Sequence, residues 1–275
     1  MSVFNSAFGK IFDVLFLPFR SLSPWVAMIL VSFLTGLLML FVFKWTSNQK
    51  GIQKVKNKIK AHLLELRLYK DNLGLSLRAQ GNILRANLRY IGYSAKPMLV
   101  MIVPLILILI QLNFWFGYDS LSLDEPSILK IKLKESQNPL ETAVKIEPSS
   151  ALVMDDYPVR IEETREIDWR FFAREAGVHQ LSITVDGQTI TKKISVDQRP
   201  LSRISPLKPN KNFIRQALYP NEPPLDGSLP VQEIEILYPD KKMDLFGWGI
   251  HWLIAYFALS IVFGFAFKGI FKVEI

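Results

Sequence analysis

Three long stretches without a charged residue constrain this chain more than any other feature: Trp25–Phe43, Pro97–Tyr118 and Leu245–Phe267, of 19, 22 and 23 residues. An α-helix rises about 1.5 Å per residue, so the shortest already covers about 28 Å. That is close to the roughly 30 Å of a bilayer's hydrocarbon core. The runs predict transmembrane helices at residues 25–45, 97–118 and 245–267, and they argue against a soluble globular enzyme. A charged fraction of 21% argues against wholesale disorder. The absence of Cys excludes a disulfide framework, a thiol nucleophile, a cysteine metal site and a lipobox.

The net charge of +8 is informative through its placement. Residues 47–96 hold eleven basic residues against two acids, Glu65 and Asp71, for a net +9. Residues 119–244 hold 17 basic and 21 acidic residues, for −4, and the remainder holds five against two, for +3. Basic loops stay in the cytoplasm, so the segment at 47–95 is expected there. The tail at 268–275, with Lys268 and Lys272, is expected on the same side. With three spans the N-terminus and residues 119–244 then lie outside. This predicts a multi-pass protein of a bacterial inner membrane. Trp25, Trp45, Trp115, Trp248 and Trp252 fall near the predicted span ends, where indole rings favour the headgroup boundary, and are expected to be interface anchors. Trp169 lies away from any span.

Residues 1–23 lack a basic start and a small-x-small cleavage site, unlike a standard signal peptide. Phe4, Phe8, Ile11, Phe12, Leu15 and Phe19 recur at three- and four-residue steps, which predicts a helix lying in the outer interface. A ragged signal anchor is the competing reading. Pro18 and Pro24 then turn the chain into the first span. In residues 47–95, Ile52, Val55, Ile59, Leu63 and Leu66 form one apolar stripe, and Leu77, Ile83, Leu84, Leu88 and Ile91 form another. The turn sequence Asp71-Asn72-Leu73-Gly74 between them predicts an antiparallel helical hairpin. Gly92 and Pro97 frame the start of the second span.

Residues 119–244 hold twelve of the sixteen prolines, and alternation replaces helical spacing there. Ile128–Leu133 and Gln180–Val185 read as strands, and Asp186-Gly187 as a hairpin turn. The expected fold is an immunoglobulin-like, all-β sandwich over about Ser127–Val196. A proline-rich connector over residues 197–230 and a last strand, Val231–Tyr238, follow. The fold class is thus an α-helical membrane protein with three spans and a cytoplasmic helical hairpin, carrying an inserted extracytoplasmic β-domain.

No nucleotide-binding, zinc-protease or serine-hydrolase motif occurs. His62, His179 and His251 fall in different predicted compartments, so they make no shared metal site. Asp155-Asp156 and Glu162-Glu163 read as solvated pairs, because glycosidase chemistry needs carboxylates converging on a cleft. No catalytic residue, metal ligand or cofactor is expected. The basic hairpin lacks the aromatic-basic interleaving of base-stacking proteins. Its charges read either as a solvated face or as attraction to anionic lipid or ribosomal RNA. Within the spans, Ser32, Thr35, Gln111 and Asn113 are candidate polar positions facing a bundle interior or water. Interhelical hydrogen bonding is the plainer use of the same groups.

This order of elements resembles the YidC/Oxa/Alb membrane-insertase superfamily. Phe4-Asn5 with the Phe-rich helix is similar to the helix before the first core span. Gln53–Leu68 is similar to the start of that family's coiled-coil hairpin, and Pro97–Pro104 continuing to Gln111 to its second core span. Three spans make the chain most similar to the compact branch, which includes the insertase subunit of the ER membrane protein complex and its archaeal relatives. The resemblance covers about residues 1–118 and 245–275. A β-domain stands where compact members have a short link, and Gly36 stands where YidC-type proteins carry an Arg.

The resemblance implies ATP-independent insertion of membrane proteins. The hairpin residues Lys50, Lys54, Lys56, Lys58, Lys60, Arg67, Arg78, Arg85 and Arg89 would meet client, ribosome or lipid. Ser32, Thr35, Gln111 and Asn113 would supply polarity to a groove. The partners this implies are membrane lipids and newly made membrane proteins, with the ribosome and a periplasmic or membrane partner of the β-domain as further candidates. The alternative is a structural or scaffold subunit of a bacterial envelope complex, acting through its β-sandwich.

Overall fold

The computed structural model describes residues 2–147, 150–198, 201–245 and 247–274, with side chains from Gly9 onward. The face of the first helix at Phe4, Asn5, Ser6 and Phe8 therefore lies outside the described side chains. The chain forms two bodies. One comprises residues up to Ala27 together with Leu109–Trp252, and the other comprises Met28–Ile108 with Leu253 onward.

The first body is mostly antiparallel sheet. Its larger sheet has the order β3-β5-β1-β9-β8, with β4 also on β5. These strands are Pro126–Leu133 (β1), Leu152–Met154 (β3), Val159–Ile161 (β4), Glu166–Ala173 (β5), Leu207–Pro209 (β8) and Val231–Ile236 (β9). The smaller sheet, β2-β6-β7, consists of Val144–Glu147, Gly177–Val185 and Gln188–Val196. Alternation along each strand decides what is buried: Leu129, Ile131 and Leu133 on β1, and Ile167, Trp169 and Phe171 on β5. Leu181, Ile183 and Val185 on β6 join the same core cluster from the other sheet. Each such side chain contributes about 1.5–3 kcal/mol when fully buried. The β6–β7 turn is Asp186-Gly187, with φ of 47° and 79°, the left-handed pair that a two-residue hairpin requires.

Two departures from the sequence reading arise here. The last predicted strand, as β9, lies inside the larger sheet between β1 and β8. The proline-rich connector also supplies β8 and a short helix, Phe213–Leu218 (α5), capped by Asn212. Proline suits β8 because that strand ends the sheet path, where a missing N–H is tolerated.

The helices begin with Ser2–Phe16 (α1), followed by a 3₁₀ turn at Leu17–Phe19. Pro24–Thr46 (α2) matches the first apolar run. Gln49–Leu68 (α3) is followed by a turn and then by Leu73–Phe116 (α4). Gly92 and Pro97, which frame the entry into the second span in the sequence, both lie inside α4, which is unbroken over 44 residues and also contains Pro104. Proline is tolerated in apolar helices whose neighbours re-satisfy the freed carbonyls. At the standard rise α4 is about 66 Å long.

The third apolar run is not one helix. Lys242–Leu245 (β10) and Trp248–His251 (β11) pair as a hairpin, and Trp252–Phe267 (α6) has only 16 residues. Gly247 (φ 86°) sits in the turn, and Gly247 and Gly249 together disfavour helix at that end. At about 24 Å, α6 is shorter than a bilayer core. Two helices, α2 and α4, are long and apolar enough to cross a membrane.

Candidate functional site

The basic hairpin is built on two capped helices. The side chain of Asn48 accepts the N–H of Gly51 at 2.9 Å, and that of Asn72 accepts the N–H of Leu75 at 3.2 Å. Each satisfies one of the donors left over in a first helical turn. The hydroxyl of Ser76 donates to the Tyr69 carbonyl at 3.1 Å, closing the turn. Of the nine basic residues singled out in the sequence, Lys50, Lys54, Lys58, Lys60, Arg67, Arg78, Arg85 and Arg89 are exposed. Lys56 is half-buried and pairs with Glu274 at 2.9 Å.

The apolar stripe of α4 is not a buried seam. Leu77, Leu84, Leu88 and Ile91 are 59–64% exposed, whereas Ala79 and Ala86 are buried. Arg78, Arg85 and Arg89 follow these leucines at the next position, about 100° round the helix. The hairpin part of α4 thus presents a leucine row beside an arginine row. On α3, Ile52 and Val55 are buried, while Leu63, Leu64 and Leu68 are exposed. Such a surface suits an amphiphilic or apolar partner carrying negative charge.

The four polar span residues divide between the bodies. Ser32 and Thr35 belong to the helical body and are buried, at 0% and 3% exposure. Tyr256 of α6 is fully buried in the same body. Gly36 explains the tight fit. A Cβ on it would sit 2.9 Å from the Ser260 carbonyl oxygen and 3.2 Å from the Gly264 nitrogen. Gly36 on α2 therefore packs directly against the α6 backbone at Ser260 and Gly264, the close approach that a small residue permits. Phe33 locks the pair edge-on against Phe263 and Phe267, at 5.4 Å each. An arginine at position 36 has no room in this contact.

Gln111 belongs to the β-rich body and has a partner the sequence did not indicate. Arg203 donates from Nη1 to both Asp13 carboxylate oxygens, at 3.0 and 3.1 Å, and from Nη2 to Gln111 Oε1 at 3.2 Å. Gly9 makes room, since its Cβ would lie 2.7 Å from Arg203 Nη2. Burial draws the guanidinium below its ordinary pKa, and the Asp13 carboxylate opposes that shift. Asp13 and Arg203 are 190 positions apart, and no local pattern joins them. Asn113 is half-buried, and its backbone carbonyl accepts the Gly117 N–H at 2.9 Å.

The tryptophans also divide. Trp45 and Trp248 are exposed, at 76% and 79%. Trp25 is half-buried and donates to the Asp244 carbonyl at 2.5 Å. Trp115 and Trp252 are buried, contrary to the expected headgroup role. Trp115 packs edge-on against Phe16 at 5.0 Å, with Arg20 over its ring at 5.6 Å. An indole near a predicted span end is ambiguous in sequence, because the same position packs equally well against a neighbouring helix.

The histidines are engaged separately. His62 meets Glu65 at 2.8 Å, His179 meets the Glu175 carbonyl at 2.7 Å, and His251 stacks on Trp252. Among the described residues no cluster of three or more His, Asp or Glu side chains is arranged to hold a metal. Lys192 lies at an inward position of β7, fully buried. Its ammonium donates to Glu222 and, at 2.7 Å, to the Ser205 carbonyl. Burial lowers its pKa, opposed by Glu222.

No family model matches the chain, and no curated protein matches it. Part of it resembles a solved structure of the S-layer protein SbsC, domains 5-6, at 10% identity and a TM-score of 0.24. That match covers 45% of this chain and 59% of the other, and a likeness so slight carries no argument.

Proposed function

We propose that the chain is a membrane-protein insertase or chaperone of a bacterial inner membrane, with its N-terminus outside and, with α6 as a short third span, its C-terminus in the cytoplasm. The hairpin collects apolar client segments, and the helical bundle passes their short polar flanks. The observation that carries this reading is the exposed leucine row beside an arginine row on α4. That helix continues without a break into a stretch apolar enough to cross a membrane. A partner seated on the row is apolar along one face and tolerates or needs cationic neighbours. A newly made transmembrane segment with an acidic or unbalanced flank has that character, and anionic lipid alone fits less of the leucine surface. The outer β-domain, read as an immunoglobulin-like sandwich because its two sheets share one core, then serves a periplasmic or membrane partner.

A direct test is insertion of a short-tailed membrane protein into vesicles holding the purified full chain. The expected result is protease protection of the translocated tail, reduced several-fold by R78A/R85A/R89A. Insertion no better than into empty vesicles overturns the proposal.

One observation favours a second reading, a scaffold subunit of an envelope complex. Ser32 and Thr35 are buried and Gly36 packs against α6, which is what an anchor bundle requires. Purification in mild detergent separates the two readings. A stoichiometric complex without nascent chains supports the scaffold.

A further inference from the structure

The helical body holds a cationic cavity whose lining residues are not those of the leucine row. It has a volume of about 540 Å³ and lies between the start of α3 and the turn after α6. Lys50 and Lys56 line it from α3, and Lys268 and Lys272 from the turn. Glu274 is the single acid among the lining residues, and it is already engaged. Its carboxylate accepts Lys56 at 2.9 Å, and its backbone N–H donates to Gln49 Oε1 at 2.7 Å. Lys56, Lys60 and Lys268 hold that carboxyl below its ordinary pKa, and the Lys56 hydrogen bond is the main cause. Among the described residues Lys50 and Lys272 have no ionic partner. Lys272 adopts φ of 51°, a backbone region unfavourable to a residue with a Cβ. It lines the cavity in spite of that.

The ground beneath is apolar. Leu40, Phe43, Ile52 and Val273 form one buried cluster, joined by the partly buried Phe267 and Phe271. Next in sequence to members of this cluster, Phe41 and Ile270 are exposed, the latter at 73%. A concave group of ammonium ions above apolar helix ends matches an amphiphile with an anionic head. A solvated basic face needs no cavity and no apolar flank.

We propose that this cavity binds the phosphate of an anionic phospholipid headgroup, with acyl chains along the exposed apolar side chains nearby. The inference rests on reading α2 as a membrane helix and extends to a ligand the client-binding row does not use. Lysine suits it, because it meets phosphate as a compact point charge.

The test uses the full chain in uncharged detergent. It is titrated separately with dioctanoyl-phosphatidylglycerol, dioctanoyl-phosphatidylcholine and inorganic phosphate, and adducts are read by native mass spectrometry. Phosphatidylglycerol is expected to bind at least about tenfold more tightly than phosphatidylcholine. K50A/K268A/K272A should weaken it by at least about tenfold, at roughly 1 kcal/mol per surface lysine. K145A/K193A/K242A removes equal charge from the β-rich body and should change it less than about twofold. E274Q, which removes the one acid among the described lining residues, should strengthen binding about threefold, whereas a purely structural role for Glu274 predicts no gain. Equal losses in both triple variants, a loss with E274Q, or inorganic phosphate binding as tightly as phosphatidylglycerol each overturn the assignment. Vesicle insertion is read separately, so lipid binding without insertion sinks only the insertase reading. Insertion without selective lipid binding sinks only this one.

Discussion

The β-rich body and the helical body solve the burial problem in opposite ways. In the first, two sheets turn alternating faces toward one core, and even an inward lysine, Lys192, is matched by Glu222. In the second, α2 packs Gly36 against the α6 backbone and buries Met28, Val31 and Leu40, while Ile29, Leu34, Leu38 and Phe41 remain 41–45% exposed. Exposed apolar side chains of this kind are what a helix facing lipid would carry. The hairpin part of α4 follows neither rule. Its leucines are exposed beside arginines, so it suits an amphiphilic partner.

The strongest way to break the β-rich body is to orphan its buried charge. E222A leaves Lys192 unpaired at 0% exposure and should cost about 3–5 kcal/mol, whereas K192M/E222L should lose far less. Chemical denaturation of the two variants measures the difference. Equal losses would mean that packing, rather than charge, holds the site.

The helical body should break at its closest approach instead. G36L forces a side chain into the space occupied by the Ser260 carbonyl and should cost about 1–3 kcal/mol, seen as a lower melting temperature in detergent. G81A, where an added Cβ meets nothing within 4 Å, should be neutral or stabilising by up to about 1 kcal/mol. If both glycines respond alike, the α2–α6 contact is not a tight one.

Alkaline pH separates the bodies further. Tyr238 is buried in the β core, its hydroxyl accepting the Ser195 N–H, and burial pushes its pKa above the ordinary 10.0. Above pH 10.0 the unfolded chain loses that proton while the folded chain keeps it. Its contribution is complete below pH 10.0 and is lost as pH rises beyond it, by at most about 1.4 kcal/mol per pH unit. Y238F should remove this slope from a denaturation series run at increasing pH. The smallest expected loss is that of D13N. Asp13 is 36% exposed, so after solvent screening the loss should be about 1 kcal/mol. Double-mutant analysis with R203Q should recover the coupling.

Patterns that act locally were legible in the sequence. The first apolar run, the Asp186-Gly187 turn and the alternation of β1 each state their structure within a few residues. The third run misled because a continuous apolar stretch has no period, and two glycines were enough to turn its start into a hairpin. Pro97 marks the entry to the second apolar run in the sequence, but it does not tell that hairpin helix and span are one continuous α4. The polar residues were visible as candidates, but their partners were not. Gln111 meets Arg203 across 92 positions, and Lys192 meets Glu222 across 30. Such pairings are set by the packing of whole sheets and helices.

The central claim is that the exposed row on α4 receives newly made membrane segments. A photo-crosslinking residue at Leu88 of the full chain, in membranes engaged in protein synthesis, tests it most directly. The account predicts covalent adducts to many nascent membrane proteins, lost when synthesis is blocked and reduced several-fold by R78A/R85A/R89A. A single adduct of fixed identity that persists without synthesis would contradict it.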